Sequence, residues 1–341
     1  IIKSKDMKNY AYYIGIDVSK MTLDFCLIDA SSAETLLQGK IDNTKKGITS
    51  LIRKMAAKKV STSETFFCFE NTGVYSVPLS IFLSEKGEDY MEVAALEIKK
   101  SKGITRGKTD KTDARDIALY SLRNKDKLKL SIIPSKEIMT LKVLVSERKK
   151  TIKSIKSFSM GKENIGFLPD EVCNNWKEGN RQIVKQLKDY KAYLEQQIEE
   201  VVRNCDYLNN QKKLLMSVPG IGKTIATYII IATKGFTCFT NARQFACYVG
   251  VAPFAYSSGT SIKGKTKVSH LADKNLKALL YMGALNAIKY DPELKAYYER
   301  KMKEGKHFML VMNNIKCKLI GRAFAVINRN SEFININKFA A

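Results

Sequence analysis

The chain has 341 residues, of which 45% are hydrophobic, and this is enough for two or three domains with cores of their own. Its 58 Lys and Arg exceed its 34 Asp and Glu, which gives a formal net charge of +24. This excess favours a polyanionic partner, because every cation that meets a phosphate releases counterions. Generic basicity is the alternative, since lysine scattered over a surface gives only solubility.

Composition also argues against several classes of protein. The seven cysteines form no CxxC pair, and their odd number and scatter argue against a disulfide framework or a zinc cluster. The two histidines, His270 and His307, cannot build a histidine-rich metal site. No apolar run approaches the roughly 18 residues of a membrane span, and no signal peptide is visible. We therefore expect a protein of a reducing cytoplasm with no membrane partner.

Residues 1–130 are predicted to form an α/β domain. Strands are expected over residues 11–18, 21–28, 35–41, 65–70 and 90–95, and helices over residues 45–58, 75–86 and 112–123. Three strands followed by helix, strand, helix, strand and helix is the order of the ribonuclease-H-like (RuvC-like) fold. Successive strand ends meet at one edge of such a sheet, so residues that close different strands can come together.

Residues 131–210 are predicted to form a helical coiled-coil region. Apolar residues recur at helical spacing over 136–158, and a second series recurs every seven residues from Leu187 to Leu208. Two long helices that pack within one chain and a contact between two copies are both compatible with this pattern. Trp176, near the expected turn between the helices, is predicted to be a core residue.

Residues 211–330 are predicted to form a mainly α-helical C-terminal domain, and residues 331–341 a loose tail. The domain opens with a segment, 217–224, that is similar to a helix-hairpin-helix turn. Gly220 and Gly222 would let backbone N–H groups and Lys223 approach a phosphate. A P-loop is excluded, because no glycine stands five residues before Gly222. A plain tight turn between two helices is the alternative.

Four carboxylates stand at positions typical of a magnesium site. Asp17 and Glu70 close predicted strands, whereas Asp110 and Asp113 are three apart at the start of a predicted helix. Mg²⁺ prefers hard oxygen ligands, and two such ions can clamp the attacking and leaving oxygens of a displacement. Each acid alone is more often a turn residue or a helix cap. Together, in this order, they predict a site for Mg²⁺ or Mn²⁺.

Residues 254–269 form a second reactive stretch, in which hydroxyls, glycines and lysines surround Ser258. A serine here could attack a phosphodiester, and the phosphoserine linkage would keep the bond energy, so that no ATP is needed to rejoin strands. Serine needs a base or a metal for this chemistry, and no Ser/His/Asp triad is evident. On composition alone, a flexible loop that contacts phosphate is the favoured interpretation.

Basic residues near the acids and the serine are predicted to contact nucleic-acid phosphates rather than bases. A solvated charge run is the alternative. The predicted contacts, besides the glycine turn, are Lys99, Lys100, Lys102, Arg106, Lys108, Lys111, Arg115, Lys263, Lys265 and Lys267.

In their order and spacing, these motifs resemble those of the DEDD transposases of insertion sequences. That group includes Piv-type DNA invertases and bridge-RNA-guided recombinases, and the likeness extends over roughly residues 11–328. The chain departs from the family pattern at His270 and Ala272, where the family has a basic residue and a glycine. The matching segments are 13–20, 70–75, 108–115, 217–222, 242–246, 250–253, 257–264 and 280–282.

The resemblance implies roles for the residues above. The four acids would be a RuvC-like metal quartet, and Ser258 would be the nucleophile, although Ser257 and Ser261 are neighbouring hydroxyls. The family implies a bacterial, nucleoid-associated homo-oligomer, a dimer or tetramer, in which one protomer's metal site can serve another's serine. A noncoding guide (bridge) RNA would pair with donor and target DNA, and cleavage would leave 5′-phosphoserine ends.

Two other functions fit the same sequence. A Mg²⁺-dependent nuclease, such as a junction resolvase, would use the acids without a covalent intermediate. A basic nucleic-acid-binding scaffold would need neither the acids nor the serine for its activity.

Overall fold

The computed structural model describes residues 8–101, 110–160, 169–258 and 262–335. Within these ranges only the backbone is described at some positions, among them Asp110, Lys111 and residues 256–258. The chain divides into two compact units, Ile1–Ile133 and Pro134–Ala341. No helix in the described ranges is long and apolar enough to cross a membrane.

The first unit is built on a five-stranded sheet with the order β3-β2-β1-β4-β5. The first three strands are antiparallel neighbours, whereas β4 and β5 run parallel to β1. The strands are β1 (Tyr12–Val18), β2 (Thr22–Asp29), β3 (Thr35–Asp42), β4 (Thr65–Glu70) and β5 (Tyr90–Val93). All five agree with the sequence prediction to within two residues.

Helices cover both faces of this sheet. They are α1 (Lys45–Ala57), α2 (Val77–Lys86), α3 (Ala95–Ser101) and α4 (Asp110–Arg123). One face buries Ile14, Ile16 and Phe67 in a core shared with α1 and α2. The other face buries Tyr13 and Cys68 in a second core, shared with α3 and α4. Helix α3 has no counterpart in the sequence prediction, since its seven residues are too few for a helical stripe.

Gly15, in the middle of β1, lets α4 lie directly on the sheet. A Cβ at this position would overlap backbone atoms of Ala114 and Ala118. Tyr13 stands two residues before Gly15 on the same strand. Burial raises the pKa of the Tyr13 phenol, and the carboxylate charge of Asp126 raises it further. The backbone at Ala114 and Ala118 lies over Gly15, so α4 crosses the sheet at the middle of β1.

The second unit is mainly helical and has one continuous core, which extends from Ile138 to Val326. Its helices are α5 (Lys136–Met160), α6 (Asp170–Arg203), α7 (Asp206–Met216), α8 (Lys223–Ala232), α9 (Ala242–Val249), α10 (Lys274–Tyr290), α11 (Pro292–Lys303) and α12 (Phe308–Arg329). The mixed α/β character of the N-terminal region and the mostly helical character of the C-terminal region are both as predicted.

Helices α5 and α6 pack against each other within the chain, and Arg148 Nε donates to Glu195 Oε1 at 2.7 Å between them. The seven-residue repeat does not belong to a single helix, because α6 ends at Arg203 and Leu208 lies on α7. The prediction that Trp176 is a core residue is wrong, since it is 42% exposed. A large aromatic residue is usually buried, and its place near the start of α6 gives it no partner in the described core.

The flexible loop predicted over residues 254–269 is largely a β-hairpin. Its strands are β6 (Pro253–Ser258) and β7 (Ile262–Val268), and Ser258 faces Ile262 in the register. Residues 259–261, including Ser261, lie outside the described residues. Aromatic and β-branched residues stand among the glycines and lysines of the segment and favour strands, which overall composition concealed.

The predicted loose tail is anchored in its first part. The Phe333 N–H donates to Ser217 Oγ at 2.8 Å, and the Arg322 guanidinium lies 4.6 Å from the centre of the Phe333 ring.

Candidate metal centre and nucleic-acid interface

Asp17 and Glu70 lie side by side at the carboxyl ends of two parallel strands. The register of β1 and β4 pairs Ile16 with Phe69, so the next positions, Asp17 and Glu70, are neighbours. Side chains alternate along a strand, which places Asp17 on the same face as Gly15 and Glu70 on the same face as Cys68. Both acids therefore lie on the face that α4 covers, and both are half-buried.

Asp113 enters this region from α4. Gly15 touches the helix backbone at Ala114, the residue after Asp113, and Asp17 stands two positions beyond Gly15 on the same face of β1. Asp113 is half-buried in the first turn of α4. The Asp110 backbone begins the helix, but its side chain lies outside the described residues. The N-terminus of a helix carries partial positive charge, which favours carboxylates nearby.

Sequence analysis missed a further acid in this region, Asp24. It pairs directly with Asp17 across β1 and β2, and it is 8% exposed. On its other side Asp24 pairs with Lys40 of β3, whose Nζ lies 3.2 Å from Asp24 Oδ2. The four residues Lys40, Asp24, Asp17 and Glu70 thus form one row across four strands. Strand pairing was the missing information, since Asp24 alone looks like an isolated polar residue in an apolar strand.

The chemistry of this row fits a divalent cation, because carboxylate oxygens are the ligands that Mg²⁺ and Mn²⁺ prefer. Among the side chains that the structure describes, no three of His, Cys, Asp or Glu lie close enough together to hold a metal ion. The structure therefore places Asp17 and Glu70 at neighbouring strand ends and Asp113 on the helix that covers the same face, without bringing these three described carboxylates within reach of one ion. The assignment of the predicted quartet as a metal site stays a prediction.

Asn43 forms hydrogen bonds to both of the loops that follow β1 and β4 at this edge. Its Nδ2 donates to the carbonyl oxygens of Ser19 and Tyr75, at 3.0 and 2.9 Å. Its backbone N–H donates to the Met21 carbonyl at 2.9 Å. Met21 and Tyr75 are 71% and 42% exposed, so this edge of the sheet also presents apolar side chains to solvent.

The predicted basic contacts of the first unit are only partly described. Lys99 and Lys100 are exposed in the last turn of α3, and Arg115 is exposed on α4. Lys102, Arg106 and Lys108 lie outside the described residues, as does the side chain of Lys111. The phosphate contacts proposed for this group stay a prediction.

The glycine turn of the second unit has two distinct halves. Gly220 has φ +94°, and its backbone lies against Gly283 of α10, where a Cβ on either residue would meet the other's carbonyl oxygen. Gly220 is therefore used for close helix packing. Gly222 and Lys223, by contrast, are exposed at the start of α8, and nothing lies within 4 Å of a Cβ at Gly222. A phosphate contact at this turn has room only on the Gly222 side.

Lys223 also lines a cavity of about 400 Å³ at the first turn of α8, together with Thr224 and Tyr228. Arg148 and Glu195 form its opposite wall. Burial alone would raise the pKa of the Glu195 carboxyl. The two contacts of this carboxylate with Arg148, at 2.6 and 2.7 Å, outweigh burial, so its pKa is lowered.

The serine hairpin places Ser258 at the end of β6 and Ser257 one position earlier, opposite Lys263. The side chains of Ser257, Ser258, Lys263 and Lys265 lie outside the described residues, whereas Lys267 is exposed. The choice of Ser258 over its neighbours therefore stays a prediction, as do the three lysine contacts.

Two transposase family models match the chain. The model of DEDD transposases of the IS110 group, described as "Transposase", matches residues 14–160, and "Transposase IS116/IS110/IS902 family" matches residues 212–299. The first match covers the sheet and its acids, and the second covers the glycine turn and the serine hairpin. The chain is a DNA transposase or recombinase.

Curated relatives agree with this class. The chain is 27% identical over 335 residues to the pilin gene-inverting protein of Moraxella bovis, covering 94% of this chain and 97% of the relative. It is 21% identical over 257 residues to the transposase for insertion sequence element IS1533 of Leptospira borgpetersenii, covering 68% and 72%. A shorter match, 30% identical over 114 residues, is to an IS110 protein of Streptomyces coelicolor and covers 33% and 28%. The resemblance to the DEDD transposases of insertion sequences is confirmed.

Proposed function

We propose that this protein moves or inverts a DNA segment by exchanging strands through a serine–phosphate linkage. In the proposed step, Ser258 Oγ attacks a phosphorus atom of the DNA backbone, and a new Oγ–P bond forms as the P–O3′ bond breaks. The serine proton leaves with a base or solvent, and the released 3′ oxygen takes up a proton. Reversal of this exchange with a different 3′ hydroxyl rejoins the strands without ATP.

The observation that carries this proposal is the placement of Asp17 and Glu70 on neighbouring parallel strands, on the face covered by the first turn of α4. This arrangement supports a RuvC-like fold and a centre in which Asp17, Glu70, Asp113 and Asp110 would hold Mg²⁺ or Mn²⁺. A divalent cation there would stabilise charge on the attacking and leaving oxygens. The chain's own residues would orient the phosphate.

Self-association is part of the proposal. Helices α5 and α6 expose apolar and aromatic side chains even though they pack against each other. Exposed aromatic residues along a helix pair are typical of a surface that binds another helix pair. We infer a homo-oligomer in which α5 and α6 contact their counterparts, and in which one copy's acids serve another copy's serine. The exposed residues are Val143, Ile152, Phe158, Trp176, Ile183, Tyr190 and Tyr193.

We further propose that a noncoding RNA encoded next to the gene selects the DNA sites. The net charge of +24 supports binding to more than one polyanion, because it exceeds what a single short contact with DNA requires.

Covalent capture tests the reaction. The protein is incubated with Mg²⁺, DNA that carries the element's ends, and the transcript of the flanking noncoding segment, and is then denatured. We expect protein joined to a 5′ phosphate, with loss of this adduct in Ser258→Ala and retention in Ser257→Ala. Cleavage into free 5′ phosphates with no adduct would instead support a metal-dependent nuclease.

Two controls separate the parts of the proposal. Asp17→Asn is expected to abolish the adduct while leaving DNA binding intact, and an unchanged yield would exclude a role for this acid. Omission of the transcript is expected to abolish site selection, and the same adduct at the same site without RNA would reject RNA guidance alone.

A further inference from the structure

Lys316 is a buried lysine in the core of the second unit. It lies on α12 and is 2% exposed, between the core residues Ile315 and Leu319. Lysine is almost never fully buried unless its ammonium group has a partner, because removal of the charge from water is costly. Its burial therefore requires a physical explanation.

Among the described residues, no carboxylate forms an ion pair with this ammonium group. In the described part of the chain, neither Lys316 nor Lys277 of α10 has an ion pair or a side-chain hydrogen bond. The Lys316 Nζ lies 5.9 Å from the centre of the Tyr281 ring, which offers only a weak cation–π contact. Burial lowers the pKa of the Lys316 ammonium, and the neighbouring Lys277 charge lowers it further. Two lysine side chains thus lie near each other without an ion pair to any carboxylate that the structure describes.

Asp273, the acid one turn before Lys277, is already engaged as a helix cap. Asp273, at the start of α10, accepts hydrogen bonds from the backbone N–H groups of Asn275 and Leu276, each at 3.0 Å. A capping carboxylate of this kind satisfies the free N–H groups of a helix terminus. It is one turn away from Lys277 but forms no ion pair with it.

The two lysines lie where the serine hairpin joins the helices. Asn313 Nδ2, one turn before Lys316, donates to the Val251 carbonyl at 2.6 Å, and Cys317 Sγ contacts the same oxygen at 3.4 Å. Val251 is two residues before β6 begins, and α10, which carries Lys277, begins six residues after β7 ends. Both strands of the hairpin therefore leave the helical core beside this lysine pair.

The Lys316 ammonium group keeps a small contact with solvent. The fully enclosed polar side-chain atoms without a partner, among the described residues, are on Asn43, Thr72 and Gln211 only. Lys316 Nζ is not among these atoms, although it has no hydrogen-bond partner among the described residues. It therefore touches solvent, whereas most of the Lys316 side chain is buried. A nearly buried cation with one open side is a better anion site than an exposed lysine, since screening by water is weaker there.

We propose that Lys316 and Lys277, flanked by Tyr281, form a binding site for one phosphodiester of a nucleic-acid backbone at the base of the serine hairpin. The proposal deepens the function above and rests on it only for the nature of the partner, a nucleic acid. A phosphate at this point would hold the strand that continues along β6 and β7. The two lysines are binding residues and take no part in bond breaking.

Salt dependence of binding gives a direct test. The affinity of the full chain for a fluorescent oligonucleotide is measured by anisotropy over a range of salt concentrations, for the wild type and Lys316→Met. Loss of one phosphate contact is expected to reduce the slope of log affinity against log salt by about 0.7–0.9. Lys277→Met should give a similar reduction, because both lysines serve one phosphate.

Two matched variants control for loss of charge. Lys318→Met removes an exposed lysine from the same helix, where its Nζ lies 4.9 Å from the Tyr297 ring. Lys274→Met removes an exposed lysine from the first turn of α10. Both controls are expected to keep the wild-type slope. A wild-type slope in Lys316→Met, or an equal reduction in Lys318→Met, would overturn the proposal.

Chemical labelling keeps the test independent of folding effects and of catalysis. Wild-type protein is treated with an amine-reactive reagent with and without the oligonucleotide, and modified lysines are found by mass spectrometry. We expect the oligonucleotide to protect Lys277, which is half-buried, but not the exposed Lys274 of the same helix, and Ser258→Ala to show the same protection. Equal labelling of Lys277 in both samples rejects the site, whereas loss of the covalent adduct alone rejects only the serine chemistry.

Discussion

Asp17 and Asp24 face each other directly across the antiparallel pair of β1 and β2. Two like charges in this position repel, which destabilises the pair unless a cation lies close by. Lys40 supplies one such charge at 3.2 Å from Asp24, on the side away from Asp17. The predicted metal ion would supply another on the opposite side.

Asp24→Asn should weaken divalent-ion binding. Removal of the Asp24 charge makes the potential at Asp17 less negative. It also removes the ion pair between Lys40 and Asp24, so the Lys40 ammonium can compete with the metal ion for the Asp17 carboxylate. We expect a loss in affinity for Mn²⁺ of about three- to tenfold, from a Coulomb term of roughly 1 kcal/mol near a protein surface. Calorimetric titration with Mn²⁺ measures the effect.

Lys40→Met is the matched control, because it removes a positive charge from the same row instead of a negative one. It should tighten Mn²⁺ binding and lower the stability of the metal-free protein. Equal affinities in both variants and the wild type would mean that the row of charges has no influence on the site.

Gly15→Ala should separate the sheet from α4. The added Cβ would overlap backbone atoms of Ala114 and Ala118, and a backbone cannot rotate away as a side chain can. We expect a loss of about 1–3 kcal/mol in the free energy of unfolding, the usual cost of overpacking. Urea unfolding measures it, and Mn²⁺ affinity should fall as well, because Asp113 moves with the helix.

Gly179→Ala provides the comparison for this substitution. Gly179 lies in α6 with nothing within 4 Å of its Cβ position, so alanine should stabilise the protein by up to about 1 kcal/mol. If Gly15→Ala lowers the free energy of unfolding no more than Gly179→Ala does, then α4 does not pack directly on β1.

Arg322→Met should be strongly destabilising. Arg322 Nη1 binds Asp291 Oδ2 at 2.6 Å, and Asp291 is 1% exposed. Loss of the guanidinium leaves a buried carboxylate without its cation, which costs about 3–5 kcal/mol. Thermal and urea unfolding test this value.

Arg300→Met removes an exposed arginine that lies 4.0 Å from Glu304, and it should change stability by less than about 1 kcal/mol. The double variant Arg322→Met with Asp291→Asn should recover part of the loss. No recovery would mean that the arginine acts through packing alone.

Tyr120 should make the protein less stable in strong alkali. Burial, aided by its hydrogen bond to Glu97 at 3.0 Å, raises the pKa of the Tyr120 phenol from 10.0 to about 12. Between these pH values the unfolded chain loses this proton before the folded chain does. The stabilisation is therefore complete below about pH 10 and is lost as the pH rises toward 12.

Urea unfolding at intervals from pH 9 to pH 12 checks this dependence, and Tyr120→Phe should give a shallower decline. Some decline should remain, because burial and Asp89 also raise the pKa of Tyr10. Identical curves for the variant and the wild type would exclude Tyr120 as a source.

Several elements were predictable because their signals are local. The alternating residues around Ile14 and the apolar run around Phe67 predicted strands, and the structure has them as β1 and β4. The mainly helical character of residues 211–330 was predictable for the same reason. The hairpin and the exposure of Trp176 were not predictable in this way, since each depends on what packs against the segment.

By itself, the sequence determined the class of protein, the order of the elements and the identity of Asp17, Glu70 and the serine segment as candidates. These follow from residue types and spacing, which need no knowledge of distant neighbours. Only the tertiary structure decided that Asp24 and Lys40 extend the row of charges, that Gly220 packs on Gly283, and that Lys316 is buried beside Lys277. The physical reason is that strand register and helix contact join residues far apart in the chain, and charge and burial depend on those neighbours.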